Sequence, residues 1–66
     1  MKKNANLVAA IIRSGFSQGD VADKLGVSQA KLSMVVNRRD RLTYEQADQL
    51  AEILNVPRSR LGAIAR

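Results

Sequence analysis

Cysteine, histidine and tryptophan are absent from this 66-residue sequence, and proline, phenylalanine and tyrosine occur once each. Without cysteine no disulfide can staple the chain, and without cysteine or histidine the usual zinc-ligand sets cannot form. The same absences remove the common catalytic pairings. Six scattered carboxylates and no glycine-rich phosphate loop leave no nucleophile and base at a working spacing, so neither catalysis nor a cofactor is expected. Long apolar runs are missing too. Leu7 to Ile12 follows Met1-Lys2-Lys3 in the manner of a short secretory leader, but Arg13 closes the run after one helical turn and a half, and it reads as an amphipathic first helix. A membrane span requires about 20 apolar residues, so a soluble, cytoplasmic protein with no membrane partner is expected. Alternating apolar and polar residues are not found and aromatics are few, which argues against strands.

What remains is a single all-helical domain over residues 1–66, with no internal repeat, low-complexity tract or linker. A domain this small buries only about 60% of the surface its unfolded chain exposes, so close helix packing must supply its stability. The net charge of +5 is unevenly placed: residues 1–23 carry +1, residues 24–41 carry +4, residues 42–56 carry −3 and residues 57–66 carry +3. A basic middle followed by an acidic segment suits a surface turned toward a polyanion with a solvated back. A basic but otherwise unremarkable soluble protein would also fit the charge taken alone.

Glycines, Pro57 and polar clusters cut the chain into five short pieces. In the first, Leu7, Val8, Ile11 and Ile12 recur at helical spacing behind Asn4 or Asn6 as N-cap, and Gly15 suits the left-handed residue that ends a helix, giving a helix over roughly residues 5–14. Ser17 caps a second helix of about eight residues carrying Val21, Ala22 and Leu25, with Gly26 at its end. Ser28 caps a third, in which Leu32, Val35 and Val36 form the apolar stripe and which ends near Asn37. Thr43 with Gln46 makes a capping box before Ala47, Leu50, Ala51 and Leu54, the most regular pattern in the chain. Pro57 opens a short fifth helix with Leu61 and Ile64 on one side and Gly62 as its weak point.

Between Gln18 and Val35 the spacing becomes specific. Ala22 is small enough for the next helix to approach, Gly26 permits a sharp turn, and Val21, Leu25, Val27, Leu32 and Val35 set the crossing. The stretch from Ser17 to Ser33 resembles the helix-turn-helix of the lambdoid phage repressor and Cro family, and Leu42 to Leu61 resembles the fourth and fifth helices of that family. The resemblance implies a compact five-helix bundle whose second and third helices form the DNA-reading unit. It further implies double-stranded DNA, with a palindromic operator, as partner.

With Leu32, Val35 and Val36 turned to the core, helical geometry puts Ala30, Met34 and Asn37 on the far side, flanked by Ser33, Lys31 and Arg38. The resemblance assigns base contacts to Gln29, Ala30, Ser33 and Met34. A glutamine amide can pair bidentately with adenine, and Ala30 and Met34 can pack on a thymine methyl, so an A·T-leaning contact is expected near Gln29. An exposed first-turn residue without a role is the plainer account of Gln29. Backbone contacts are expected from Gln18, Lys31, Asn37, Arg38, Arg39 and Arg41. Lys31 stands at N3, where the helix dipole favours acids, a conflict that a nearby phosphate would relieve; a tolerated surface lysine is the alternative. Gln18 resembles the family's phosphate-binding glutamine, and otherwise it completes a cap. Arg38, Arg39 and Arg41 follow the third helix where the family grips the sugar-phosphate backbone, though a solvated charged loop would look the same.

Related repressors can pair an arginine in the first helix with a glutamate late in the third, and here Ile11 and Val36 occupy those places. A joint apolar replacement of a buried ion pair is often neutral or stabilising, so the departure still describes one coherent core. Tyr44 could reach phosphate through its hydroxyl, but packing against the third helix is the favoured role. Leu61 should close the core, while Ile64 could do so or join a small dimer patch. Any homodimer would be weak or formed on DNA. The competing function on the same scaffold is a protein-interaction module such as an antitoxin or antirepressor.

Overall fold

In the computed structural model, which describes residues 3–65, every α-helix begins at a polar side chain that accepts the amide three residues on. Asn4 accepts from Leu7 and starts α1, Ala5–Ser14. Ser17 accepts from Asp20 and starts α2, Gln18–Leu25, with the Asp20 carboxylate returning the bond to the Ser17 amide. Ser28 accepts from Lys31 and starts α3, Gln29–Val36. Thr43 and Gln46 form the second capping box, at the head of α4, Tyr44–Leu54. Each such cap contributes about 1 kcal/mol, a large share for helices of 8 to 11 residues that would be marginal alone. Between α2 and α3, Gly26 takes φ 82°, the left-handed conformation that lets the chain reverse within three residues.

The expected fifth helix is a single 3-10 turn, Arg58–Leu61, so the described residues form four α-helices and this turn rather than five helices. Gly62 ends it: at φ 76° and ψ −164° its backbone lies in a region essentially closed to other residues, and the helix cannot continue through it. The chain then runs back beside the α3–α4 connection. The Leu42 amide donates to the Ile64 carbonyl at 2.8 Å, and Leu42 and Ala65 form an isolated parallel bridge. No helix among the described residues is long and apolar enough to cross a membrane.

All the apolar stripes meet in one core. Leu7, Val21, Leu32, Leu42, Leu50 and Leu61 are fully buried at its centre, and each such side chain contributes roughly 1.5–3 kcal/mol on leaving water. Leu42, which belongs to no helical stripe, was not among the expected core residues. Leu61 closes the core as expected, and Ile64 is buried with it, which removes Ile64 from any dimer patch. Ile11 and Val36 are both buried and line one recess, an apolar substitute for an ion pair. Asn4 is the only buried polar residue among those described, and it is fully satisfied. Its amide group donates to the Leu61 carbonyl at 2.7 Å, its side-chain oxygen accepts from Leu7, and its backbone N–H donates to the Val36 carbonyl at 2.8 Å. One asparagine thus ties the start of α1 to the end of α3 and to the C-terminal turn.

Candidate nucleic-acid interface

Helix α3 turns Leu32, Val35 and Val36 into the core, and 100° per residue then puts Ala30 and Met34 on the far side, while Gln29, on the flank of the core stripe, is exposed because it stands in the first turn. Met34 is 43% exposed, unusual for so large an apolar side chain, and Ser33 is half-buried at the edge of the same face. Helix α2 packs against α3, and Ala22 on α2, 2% exposed, and Val27 in the turn between the two helices belong to the shared core.

Gln29 has a definite bed. Its amide nitrogen lies 2.9 Å from the place a Cβ on Gly19 would occupy, so the side chain rests across the first turn of α2 only because residue 19 has none. Gly19 looked in sequence like simple punctuation, and this contact gives it a positioning role. Gln18, beside it at the start of α2, is half-buried and borders the recess formed by Val8, Ile11, Ile12, Phe16 and Val36.

Two residues expected to hold phosphate are engaged within the protein. The Lys31 ammonium donates to the Asp40 carboxylate at 2.7 Å and to the Arg41 carbonyl at 3.1 Å. A carboxylate from the following loop therefore relieves the lysine at N3, and no phosphate is needed to explain it. The Asn37 side-chain amide donates to the Ser33 carbonyl at 2.8 Å, a second bond to the oxygen that already accepts the Asn37 backbone N–H at 3.0 Å. Past Asn37, Arg38 takes φ 62°, the Arg39 amide bonds the Met34 carbonyl at 2.8 Å and the Arg38 amide bonds the Val35 carbonyl at 3.1 Å. This is a Schellman ending with arginine where glycine is favoured. It swings the loop back along α3 to where Asp40 meets Lys31 and leaves Arg38, Arg39 and Arg41 exposed beside the outer face of α3.

Tyr44, expected to pack against α3, instead stands 59% exposed at the head of α4 with the Arg58 guanidinium 5.2 Å from its ring centre. Asp40 and Arg58, neither singled out in the sequence, thus shape the rim of the surface. The signal for Asp40 was present, as a lone acid inside a run of arginines, but its partner lies nine residues back and only the folded loop brings the two together. No group of three or more acidic, cysteine or histidine residues able to hold a metal ion occurs among the described residues.

Comparison with known proteins agrees with this arrangement. A helix-turn-helix family model matches residues 8–61, from α1 through the C-terminal turn. No curated protein matches the chain. Two short helices joined at a left-handed glycine, an outward first turn on the second of them and a family match over most of the length lead to one conclusion: the chain belongs to the Cro/C1-type helix-turn-helix family, whose members bind DNA.

Proposed function

We propose that the protein is a sequence-specific transcriptional regulator of the repressor/Cro kind that seats α3 in the major groove of double-stranded DNA and acts by binding alone, without catalysis. The observation that carries this reading is the outward, unobstructed set Gln29, Ala30 and Met34 on a helix held rigidly from behind, with three exposed arginines at its end. Gln29 pairs with adenine, Ala30 and Met34 pack on thymine methyls, and Ser33 adjoins them. Gln18, Arg38, Arg39 and Arg41 hold phosphates, while Lys31 and Asn37 act through the loop they position. Two copies occupy a palindromic operator, weakly associated or joined on the DNA, with half-sites about 34 Å apart.

Selection of bound sites from a random duplex pool tests the whole reading. The expected product is a pair of inverted half-sites one helical turn apart, each with an A·T pair that Gln29→Ala ceases to prefer, at a cost of about 1–3 kcal/mol in discrimination. With about three phosphates neutralised per subunit, one for each arginine, log affinity should fall against log salt with a slope near −2.7 per subunit, about 0.9 for each phosphate. A flat slope, or a pool that yields no common site, would overturn the proposal.

A further inference from the structure

The C-terminal segment, residues 57–66, carries three arginines and no acid, and the DNA-binding reading above uses none of them. The 3-10 turn places the first of the three against α4. The Arg58 guanidinium lies 5.2 Å from the centre of the Tyr44 ring, and one of its nitrogens donates to the Asp48 carboxylate at 3.1 Å. Tyr44 is three residues beyond Arg41, so Arg58 stands where the arginine loop passes into α4. None of this is buried: the Arg58 and Asp48 side chains are 40% and 67% exposed and Tyr44 is 59% exposed. Exposed ion pairs add little to folding stability. The arrangement orders a long cationic side chain in solvent, where the fold gains almost nothing from having it ordered.

We propose that Arg58, stacked on Tyr44 and held at rest by Asp48, is a further DNA-backbone contact that extends the arginine track of Arg38, Arg39 and Arg41 onto the C-terminal turn. The inference rests on the DNA-binding reading. Stacking on the ring removes side-chain freedom before DNA arrives and leaves the planar edge of the guanidinium free to bind a phosphate through two parallel N–H bonds. Asp48 occupies that edge in the free protein, and because the pair is exposed and weak, a phosphate displaces it readily. Asp48 therefore lowers affinity through Arg58, and Tyr44 is a positioning residue.

The test uses the full chain and a duplex recovered by the selection above, with affinity measured by fluorescence anisotropy between 50 and 200 mM salt. Arg58→Gln should bind more weakly at low salt with a slope shallower by about 0.9 per subunit, so that its deficit narrows about 3.5-fold over that range. Arg60→Gln removes the same charge two residues away and should leave the slope unchanged. Tyr44→Leu should weaken binding, Tyr44→Phe should keep the wild-type slope because the ring face remains, and Asp48→Asn should tighten binding in the wild type but not beside Arg58→Gln. Thermal melts of each variant separate lost contact from lost fold, and Arg58→Lys, which keeps the charge, should retain the slope even where Arg58→Gln melts early. An unchanged slope in Arg58→Gln, or an equal loss in Arg60→Gln, overturns the assignment of Arg58 alone. Failure of the wild-type chain to bind any duplex overturns that assignment and the DNA-binding reading together.

Discussion

Arg38 holds a left-handed backbone, φ 62°, at a position where glycine is free of the Cβ clash. The strain is local and the side chain points to solvent beside α3, so two properties should separate in one variant. Arg38→Gly is expected to raise the unfolding free energy by about 1 kcal/mol in thermal or urea denaturation, while the slope of log affinity against log salt becomes shallower by about 0.9 per subunit. Gly19 poses the converse case. A methyl there would meet the flexible end of Gln29 rather than backbone, so Gly19→Ala should fold at least as stably, because alanine favours helix by up to about 1 kcal/mol. It should also displace the Gln29 amide and relax the A·T preference in a binding-site selection; an unchanged preference would show that the bed on α2 has no part in recognition. The glutamine itself was legible through the family resemblance, which assigns base contacts to the first residues of the third helix. Its resting place was not, because that depends on an absent side chain in another helix.

Elements of 8 to 11 residues rely on their ends. Ser28 is the side-chain cap at the start of α3, and Ser28→Ala should lower stability by about 1 kcal/mol and increase hydrogen exchange at the Lys31 amide, its bonded partner. At the other end of α3 the loop is fastened by Lys31 to Asp40, with side chains about a quarter exposed, a bond of about 1 kcal/mol. Lys31→Met should therefore leave the fold intact, speed amide exchange across residues 38–42, and weaken DNA binding by loosening the arginines. A direct phosphate contact from Lys31 would instead reduce the salt slope without altering exchange, so the two measurements distinguish the roles. Helix limits and three of the four helix-ending residues were readable because capping bonds span three residues. The 3-10 turn differs from the expected helix because Pro57 and Leu61 satisfy a helical pattern that Gly62 then refuses.

At the scale of the whole molecule, which measures 25 × 23 × 21 Å, one layer of buried side chains holds everything, so single losses should be felt globally. Ile64 is the last apolar anchor and its carbonyl accepts from Leu42. Ile64→Ala is expected to cost about 2–5 kcal/mol, enough in a domain this small to shift the population visibly toward the unfolded state in circular dichroism at 37 °C. Asn4→Ala should be nearly as costly, since it strips a helix cap and leaves the Leu61 carbonyl buried without its donor. The sequence by itself determined four helices, the N-caps of three of them, the tight turn at Gly26 and the far side of α3 at Ala30 and Met34, because each depends on residues within a few positions of one another and on a period that the chain repeats. Only the tertiary structure decided that Lys31 binds Asp40, that Gln29 lies over Gly19, that Asn4 locks α1 to the C-terminal turn and that Arg58 stacks on Tyr44. Those pairings join side chains from separate elements, and their geometry exists only once packing has fixed how the helices cross.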